Sequence, residues 1–178
     1  GGTYLARAVR DAKDTEARHQ LMFASMLAGL AFGSAGVHIP HAMSYSIATL
    51  KHEFTATGYE EREPMVPHGI SVVINAPAAF RFTATANPAR HLEVAAALGA
   101  NTANAKPDDA GEILAQAFIS LMRETGLPNG IAGLGYGEPD VRTLAEGAYA
   151  QQRLLVMAPR SVSMPDLEGL FRNALRYW

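Results

Sequence analysis

The sequence predicts a single all-α domain, a multi-helix bundle spanning residues 1–178. Three observations carry this. Alanine- and leucine-rich segments repeat apolar residues at helical spacing. β-branched alternating runs are few. Proline- and glycine-containing loops join the segments. The chain has 178 residues, 48% of them hydrophobic and 18% charged, which suits one compact unit with a real core.

Taken in order, Thr15 to about Ala31 is the first strong helix. Its apolar residues run nearly all round, as expected for a central, buried helix, and Gly33 and Gly36 end it. His38 to Leu50 forms a second helix with Ile39-Pro40 in its first turn, where proline is tolerated. Phe54 to Pro67 is a polar loop carrying Gly58 and the solvated acidic run Glu60-Glu61-Arg62-Glu63. A third helix starts near Gly69 and runs through Val72-Val73-Ile74, with Pro77 as a bend or stop. Asn87-Pro88 starts a short helix, Ala89 to Leu98, closed by Gly99. Asp109 and Glu112 resemble a capping box. It opens a helix that aligns Ile113, Leu114, Ala117, Phe118, Leu121 and Met122 and stops at Gly126. Leu127 to Pro139 is a glycine-rich loop, and another helix follows from about Asp140 to Gln152. Ser163 caps the last helix with Asp166 three residues on, and Leu167, Leu170, Phe171, Ala174 and Leu175 form its stripe.

Composition narrows the function. The formal charge is −2 and the positive charges are scattered, so a nucleic-acid partner is not expected. There is no cysteine, which removes disulfides and thiolate metal sites and fits a reducing, cytoplasmic compartment. The longest apolar run, Leu21 to Phe32, is broken by Ser25 and Gly29 and falls short of the roughly 20 residues a membrane span needs. It reads as a core helix, and no membrane partner is expected. No signal peptide is visible. The chain opens on Gly1-Gly2 without an initiator Met, as a processed, trimmed or partial chain does.

Three of the six histidines fall in two short stretches, Gly36-Val37-His38-Ile39-Pro40-His41-Ala42-Met43-Ser44-Tyr45 and Val66-Pro67-His68-Gly69-Ile70-Ser71. Imidazole is the commonest metal ligand and a proton shuttle near neutral pH. On a helix, a spacing of three puts His38 and His41 on one face, about 5–6 Å apart at Cβ. The pair suits a shared metal, or one ligand beside one proton-handling group. Two satisfied histidines at a helix start fit the spacing as well. His68 lies at a loop-to-helix junction, where Gly69 admits backbone or ligand closely. Tyr45, one turn beyond His41, is a candidate substrate-binding hydroxyl. His19 reads as a helix-edge residue, His52 as solvated, and His91 as a structural hydrogen-bonding group.

These two stretches resemble the iron-containing alcohol dehydrogenases, nearest to the hydroxyacid-oxoacid transhydrogenase branch. The likeness extends through Ala89-Arg90-His91-Leu92-Glu93, Leu98-Gly99-Ala100, Asp109-Ala110-Gly111 and Gly135-Tyr136, and so covers nearly the whole chain. The resemblance implies the helical C-terminal domain of an iron-containing, dehydroquinate synthase-like dehydrogenase. It implies His38 and His68 as metal ligands, and His41 as a catalytic residue near nicotinamide and substrate. The metal is divalent iron, or zinc in some members. It binds the substrate oxygen as a Lewis acid while hydride passes to or from the nicotinamide. In the transhydrogenase branch a hydroxyacid such as 4-hydroxybutyrate reduces a retained NAD, and an oxoacid such as 2-oxoglutarate reoxidises it.

The family's remaining ligands come from an Asp-x-x-x-His helix, and no Asp here has His four residues later. Gly130 to Gly137 follows no predicted strand and carries no dinucleotide fingerprint. Ser34 stands where Asn is common, and Ser46 where the transhydrogenase branch has Pro. NAD is therefore expected only with an N-terminal nucleotide-binding domain as partner. Alone, the chain is expected to be inactive and to self-associate through a cleft-lining face. Its small-molecule partner would be an alcohol, or a hydroxyacid and oxoacid. Two other readings fit the same residues. One is a non-catalytic helical interaction module derived from such an enzyme. The other is an independent metalloprotein using His38, His41 and His68 together.

Overall fold

The computed structural model describes residues 2–50, 53–59 and 64–178. The expected sites at His52 and Glu60-Glu61-Arg62-Glu63 lie outside the described residues. Among the described residues, ten α-helices with short 3-10 turns between them make up the fold, and there is no strand. The all-α expectation holds.

A helix the periodicity did not indicate comes first: α1, Leu5–Arg10. Arg7 reaches over to Asp14 at 2.9 Å and Glu16 at 2.7 Å, tying α1 to the start of α2, Thr15–Ala35. Asp14 caps α2 by accepting from the Ala17 N–H at 3.0 Å. The helix runs past Gly29 and Gly33, where even a Cβ would meet nothing within 4 Å, and ends at Gly36 with φ +74°.

The expectation that α2 is central and buried is overturned. Only Ala17 is buried. Met22 is 73% exposed, Leu30 68%, and Phe23, Met26, Leu27 and Phe32 are also open. An all-round apolar helix carries a demand for burial, but its sequence does not say which surface meets it. Within the described residues none does. No single helix there is long and apolar enough to cross a membrane.

The core forms around α3, Ile39–Thr49. Its Ile39, Met43 and Ile47 are almost fully buried. Tyr136 secures the C-terminal end of α3: its hydroxyl lies 2.7 Å from the Ile47 carbonyl and 2.5 Å from that of Leu50. Burial pushes this phenol up to about 12.

α4, His68–Val73, packs on α3. The chain then turns through Ile74 and the buried Asn75 into α5, Ala76–Thr83. Pro77 therefore opens a new helix rather than stopping one; in the first turn its missing N–H costs nothing. Tyr177 donates its hydroxyl to the Ile74 carbonyl at 2.9 Å and fixes this turn from the far end of the chain.

α6, Pro88–Ala97, is capped by Asn87, whose side chain accepts from the Arg90 N–H at 3.1 Å. α7, Ala110–Glu124, packs on both α5 and α6. The capping box expected at Asp109 and Glu112 is not formed. The Asp109 carboxylate turns back to the Lys106 N–H at 3.0 Å, capping a one-turn 3-10 helix, Pro107–Asp109. Glu112 instead meets Arg81 of α5 at 2.6 Å, which holds its carboxyl down at about 2. Gly126, at φ +72°, ends α7 as expected.

The helix expected from Asp140 to Gln152 is two pieces, α8, Val141–Tyr149, and α9, Gln152–Leu155, with the chain bending at Ala150 and Gln151. α8 packs between α3 and the last helix, α10, Met164–Ala174. The predicted stripe of α10 is confirmed: Leu167, Leu170, Phe171 and Ala174 are buried.

The Ser163 cap also forms as expected. The Ser163 hydroxyl accepts from the Asp166 N–H at 3.3 Å, and the Asp166 carboxylate accepts from the Ser163 N–H at 2.8 Å. The Ser163 hydroxyl also donates to that carboxylate at 2.5 Å, and this bond, then the one from the Ser163 N–H, holds the Asp166 carboxyl below the ordinary carboxylate range. Ser163→Ala is expected to cost about 1 kcal/mol. A depressed carboxylate stabilises above its ordinary pKa and loses that contribution as pH falls through its folded value. In thermal melts the gap between wild type and variant should be full at neutral pH and narrow below about pH 4, where only the bond from the Asp166 N–H remains. A gap unchanged in acid would show that the cap does not rest on the carboxylate.

Candidate functional site

The site residues sit where α3 begins and where α4 begins. His38 is the residue before α3, with φ −132° and ψ −137°, so it lies outside the helix. The helical rule for residues three apart therefore does not set its direction. Its ring meets the Phe80 edge, with centroids 6.2 Å apart. Phe80 also stacks on Phe118 at 5.3 Å and meets His91 at 5.9 Å. The His38 Nδ1 is buried without a hydrogen-bond partner. Burial, then the nearby His41 and His91, lowers its pKa.

His41 lies in the first turn of α3, held by the Pro40 that starts the helix and by the buried Ile39 and Ala42 on either side. His68 is the first residue of α4, delivered by the extended Pro67. The structure brings these two rings together, with centroids 5.5 Å apart and planes at 62°. Burial, then the charge His68 would carry, pushes the His41 pKa down and keeps that imidazole in its neutral, lone-pair-donating form at pH 7.

A cavity of about 320 Å³ opens beside this pair. His38 and His41 line it together with Gly36, Val72, Ala76 and Phe80. Its wall is apolar apart from the two imidazoles, the pattern of a small-molecule pocket with few polar anchors. Among the described residues no three His, Asp or Glu side chains converge as a metal-holding group. His38, His41 and His68 thus do not form a complete three-histidine site.

Tyr45 lies one turn beyond His41 and is exposed. Its hydroxyl is 3.2 Å from Nη2 of Arg153, and the guanidinium sits 5.6 Å from the centre of its ring. Arg153 was not legible as a site residue. It is 108 positions away in sequence, and α9, which carries it, is a four-residue helix with no motif. His91 and His19 behave as expected. His91 donates from Nδ1 to the Asn87 carbonyl at 2.8 Å and meets the Thr83 hydroxyl at 2.9 Å. His19 is exposed on α2.

The chain is similar to known proteins along nearly its whole length. Residues 2–175 match the Fe-containing alcohol dehydrogenase family, C-terminal. The mitochondrial hydroxyacid-oxoacid transhydrogenase of Rattus norvegicus is 45% identical over 175 residues, covering 98% of this chain and 38% of that protein. The Homo sapiens protein of the same name is 42% identical over the same length and coverage. Among solved structures, a 1,3-propanediol oxidoreductase superposes with a TM-score of 0.83 at 28% identity, covering 97% of this chain and 42% of that one. An alcohol dehydrogenase from Oenococcus oeni gives 0.82, also at 28% identity, with the same coverage. The chain spans about two-fifths of the length of these relatives. By sequence and by fold, the chain belongs to the Fe-containing alcohol dehydrogenase family, as its C-terminal domain.

Proposed function

We propose that this chain is the metal-binding half of an oxidoreductase that moves hydride between a hydroxyacid or alcohol and an oxoacid or aldehyde. NAD would be held by an N-terminal nucleotide-binding domain. The observation that carries this reading is the His41–His68 pair beside an apolar cavity. Two imidazoles on one divalent ion, each bonded at about 2.1 Å, place their ring centres roughly 5 Å apart. The observed 5.5 Å suits that arrangement. We therefore assign the metal, divalent iron or zinc, to His41 and His68, in place of the His38 and His68 that the resemblance implied. Two donors make half of a tetrahedral set, so the other two come from elsewhere in the working enzyme.

The bound metal would supply Lewis-acid polarisation of the substrate oxygen. This chain's residues do the rest. The cavity wall of Val72, Ala76 and Phe80 offers water no hydrogen-bonding side chain beside the imidazoles. His38, outside the ligand pair, presents an unpartnered Nδ1 for a hydrogen bond to a bound molecule. Tyr45 presents its hydroxyl one turn along α3.

The test is exchange. The complete protein carrying this domain, loaded with iron or zinc, is incubated with 4-hydroxybutyrate and 2-oxoglutarate and no added nucleotide. Formation of 2-hydroxyglutarate supports the reading. No turnover with either metal, and none with simple alcohols plus NAD, would overturn it and leave the non-catalytic module as the better account.

A further inference from the structure

We propose that Arg153 is the carboxylate-binding residue of this site, so that it selects acid-bearing substrates over neutral alcohols. The inference rests on the function proposed above and names the residue that recognises its substrate class.

The guanidinium is uncommitted in a way most others here are not. Arg7, Arg10, Arg81, Arg90, Arg142 and Arg172 are each paired with Asp or Glu. Arg160 lies over the Phe82 ring and donates to the Phe82 carbonyl. Arg153 makes no ion pair among the described residues. Its contacts are with Tyr45: one hydrogen bond at 3.2 Å and the face of the ring. Seated this way, the planar fork is held by stacking while most of its five N–H donors stay available.

Its place relative to the metal pair is also right. Tyr45 is four residues beyond His41, about 6 Å along the helix. Long helical side chains lean back toward the preceding turn, so the Tyr45 ring covers the surface beside His41. Arg153, bonded to the Tyr45 hydroxyl, therefore offers a cation on the His41 side of α3. An extended four-carbon hydroxyacid separates its hydroxyl oxygen from its carboxylate by about 5 Å, close to the rise of one helical turn. With the hydroxyl or keto oxygen at the histidine pair, the carboxylate is directed along α3 toward Arg153, which can donate to it bidentately beside the Tyr45 hydroxyl.

The experiment compares wild type, Arg153→Ala and Arg153→Lys in the complete metal-loaded protein. Steady-state kinetics use 4-hydroxybutyrate and, as its neutral counterpart, butane-1,4-diol. Calorimetric titration with glutarate supplies a readout independent of turnover. Arg153→Ala is expected to raise KM for the acid about 10- to 100-fold and leave the diol within about twofold. Glutarate affinity should fall by a similar factor. Arg153→Lys should recover part of both, since it keeps the charge and loses the fork. An equal effect on acid and diol, or unchanged glutarate binding, overturns the inference even if the enzyme is active. If the wild type turns over nothing yet binds glutarate through Arg153, the functional reading fails and the carboxylate site stands.

Discussion

His41→Ala in the complete metal-loaded protein is expected to strip the metal and abolish turnover, whereas His38→Ala should keep the metal. Loss of a directly bonded imidazole should weaken metal by at least about 100-fold, more than the 10- to 100-fold typical of outer-shell partners. The contrast follows from geometry. The His41 ring stands 5.5 Å from that of His68, while the His38 ring is turned onto Phe80. Elemental analysis after gel filtration in chelator-free buffer reads metal content directly. Circular dichroism confirms that each variant is folded. His38→Ala should instead change kcat and KM, because it removes a polar group from the cavity wall and loosens the packing around Phe80. Metal lost in His38→Ala and kept in His41→Ala would restore the pairing of His38 with His68.

The sequence made the helices legible wherever the signal was local. The Ser163 and Asp166 box is complete within four residues, and it forms. The stripe from Leu167 to Ala174 points inward because 3.6-residue spacing leaves it no other choice. Gly126 ends α7 through its own backbone. Where a partner distant in the chain decides, the local reading fails. Asp109 and Glu112 have the spacing of a box, but Arg81 from another helix takes Glu112. α2 has the composition of a core helix, yet among the described residues only its Ala17 is buried. Pro77 looks like a stop until the buried Asn75 ends one helix and frees the next to begin.

The candidate site divides in the same way. His41, His68 and Tyr45 stand out in sequence because glycine and proline frame them, and the structure places all three around the start and outer face of α3. Spacing alone did not decide between His38 and His41 as the partner of His68. His38 and His41 are three apart, but the helix starts between them, so only His41 obeys helical geometry. Arg153 reaches Tyr45 only because α8 breaks at Ala150 and Gln151 and redirects the chain into α9. No pattern around Arg153 encodes that encounter.

The other large expected effect lies far from the histidines. Gly130→Ala should destabilise the fold by at least about 3–4 kcal/mol, a loss of roughly 10 °C in Tm for a chain of this size. Gly130 has φ +65° and ψ −177°, a conformation essentially reserved for glycine. An added Cβ would fall 2.3 Å from the Leu175 carbonyl oxygen and 2.5 Å from that of Ala174. Both are backbone atoms, so no side chain can swing aside. The end of α10 must move, or the turn from Ile131 to Leu134 must leave the core with its buried Ile131 and Leu134. Tyr136 follows that turn, and its hydroxyl holds the carbonyls of Ile47 and Leu50 at the end of α3. The strain is thus passed to the helix that positions His41. Gly126→Ala separates clash from backbone conformation. Its φ is +72°, but a Cβ there meets nothing within 4 Å, so only the left-handed cost of about 1–2 kcal/mol applies. Denaturant melts of the two variants should differ by about 2 kcal/mol or more. Equal losses would mean that α10 yields to the intruding methyl, and that the 130–136 turn does not brace α3.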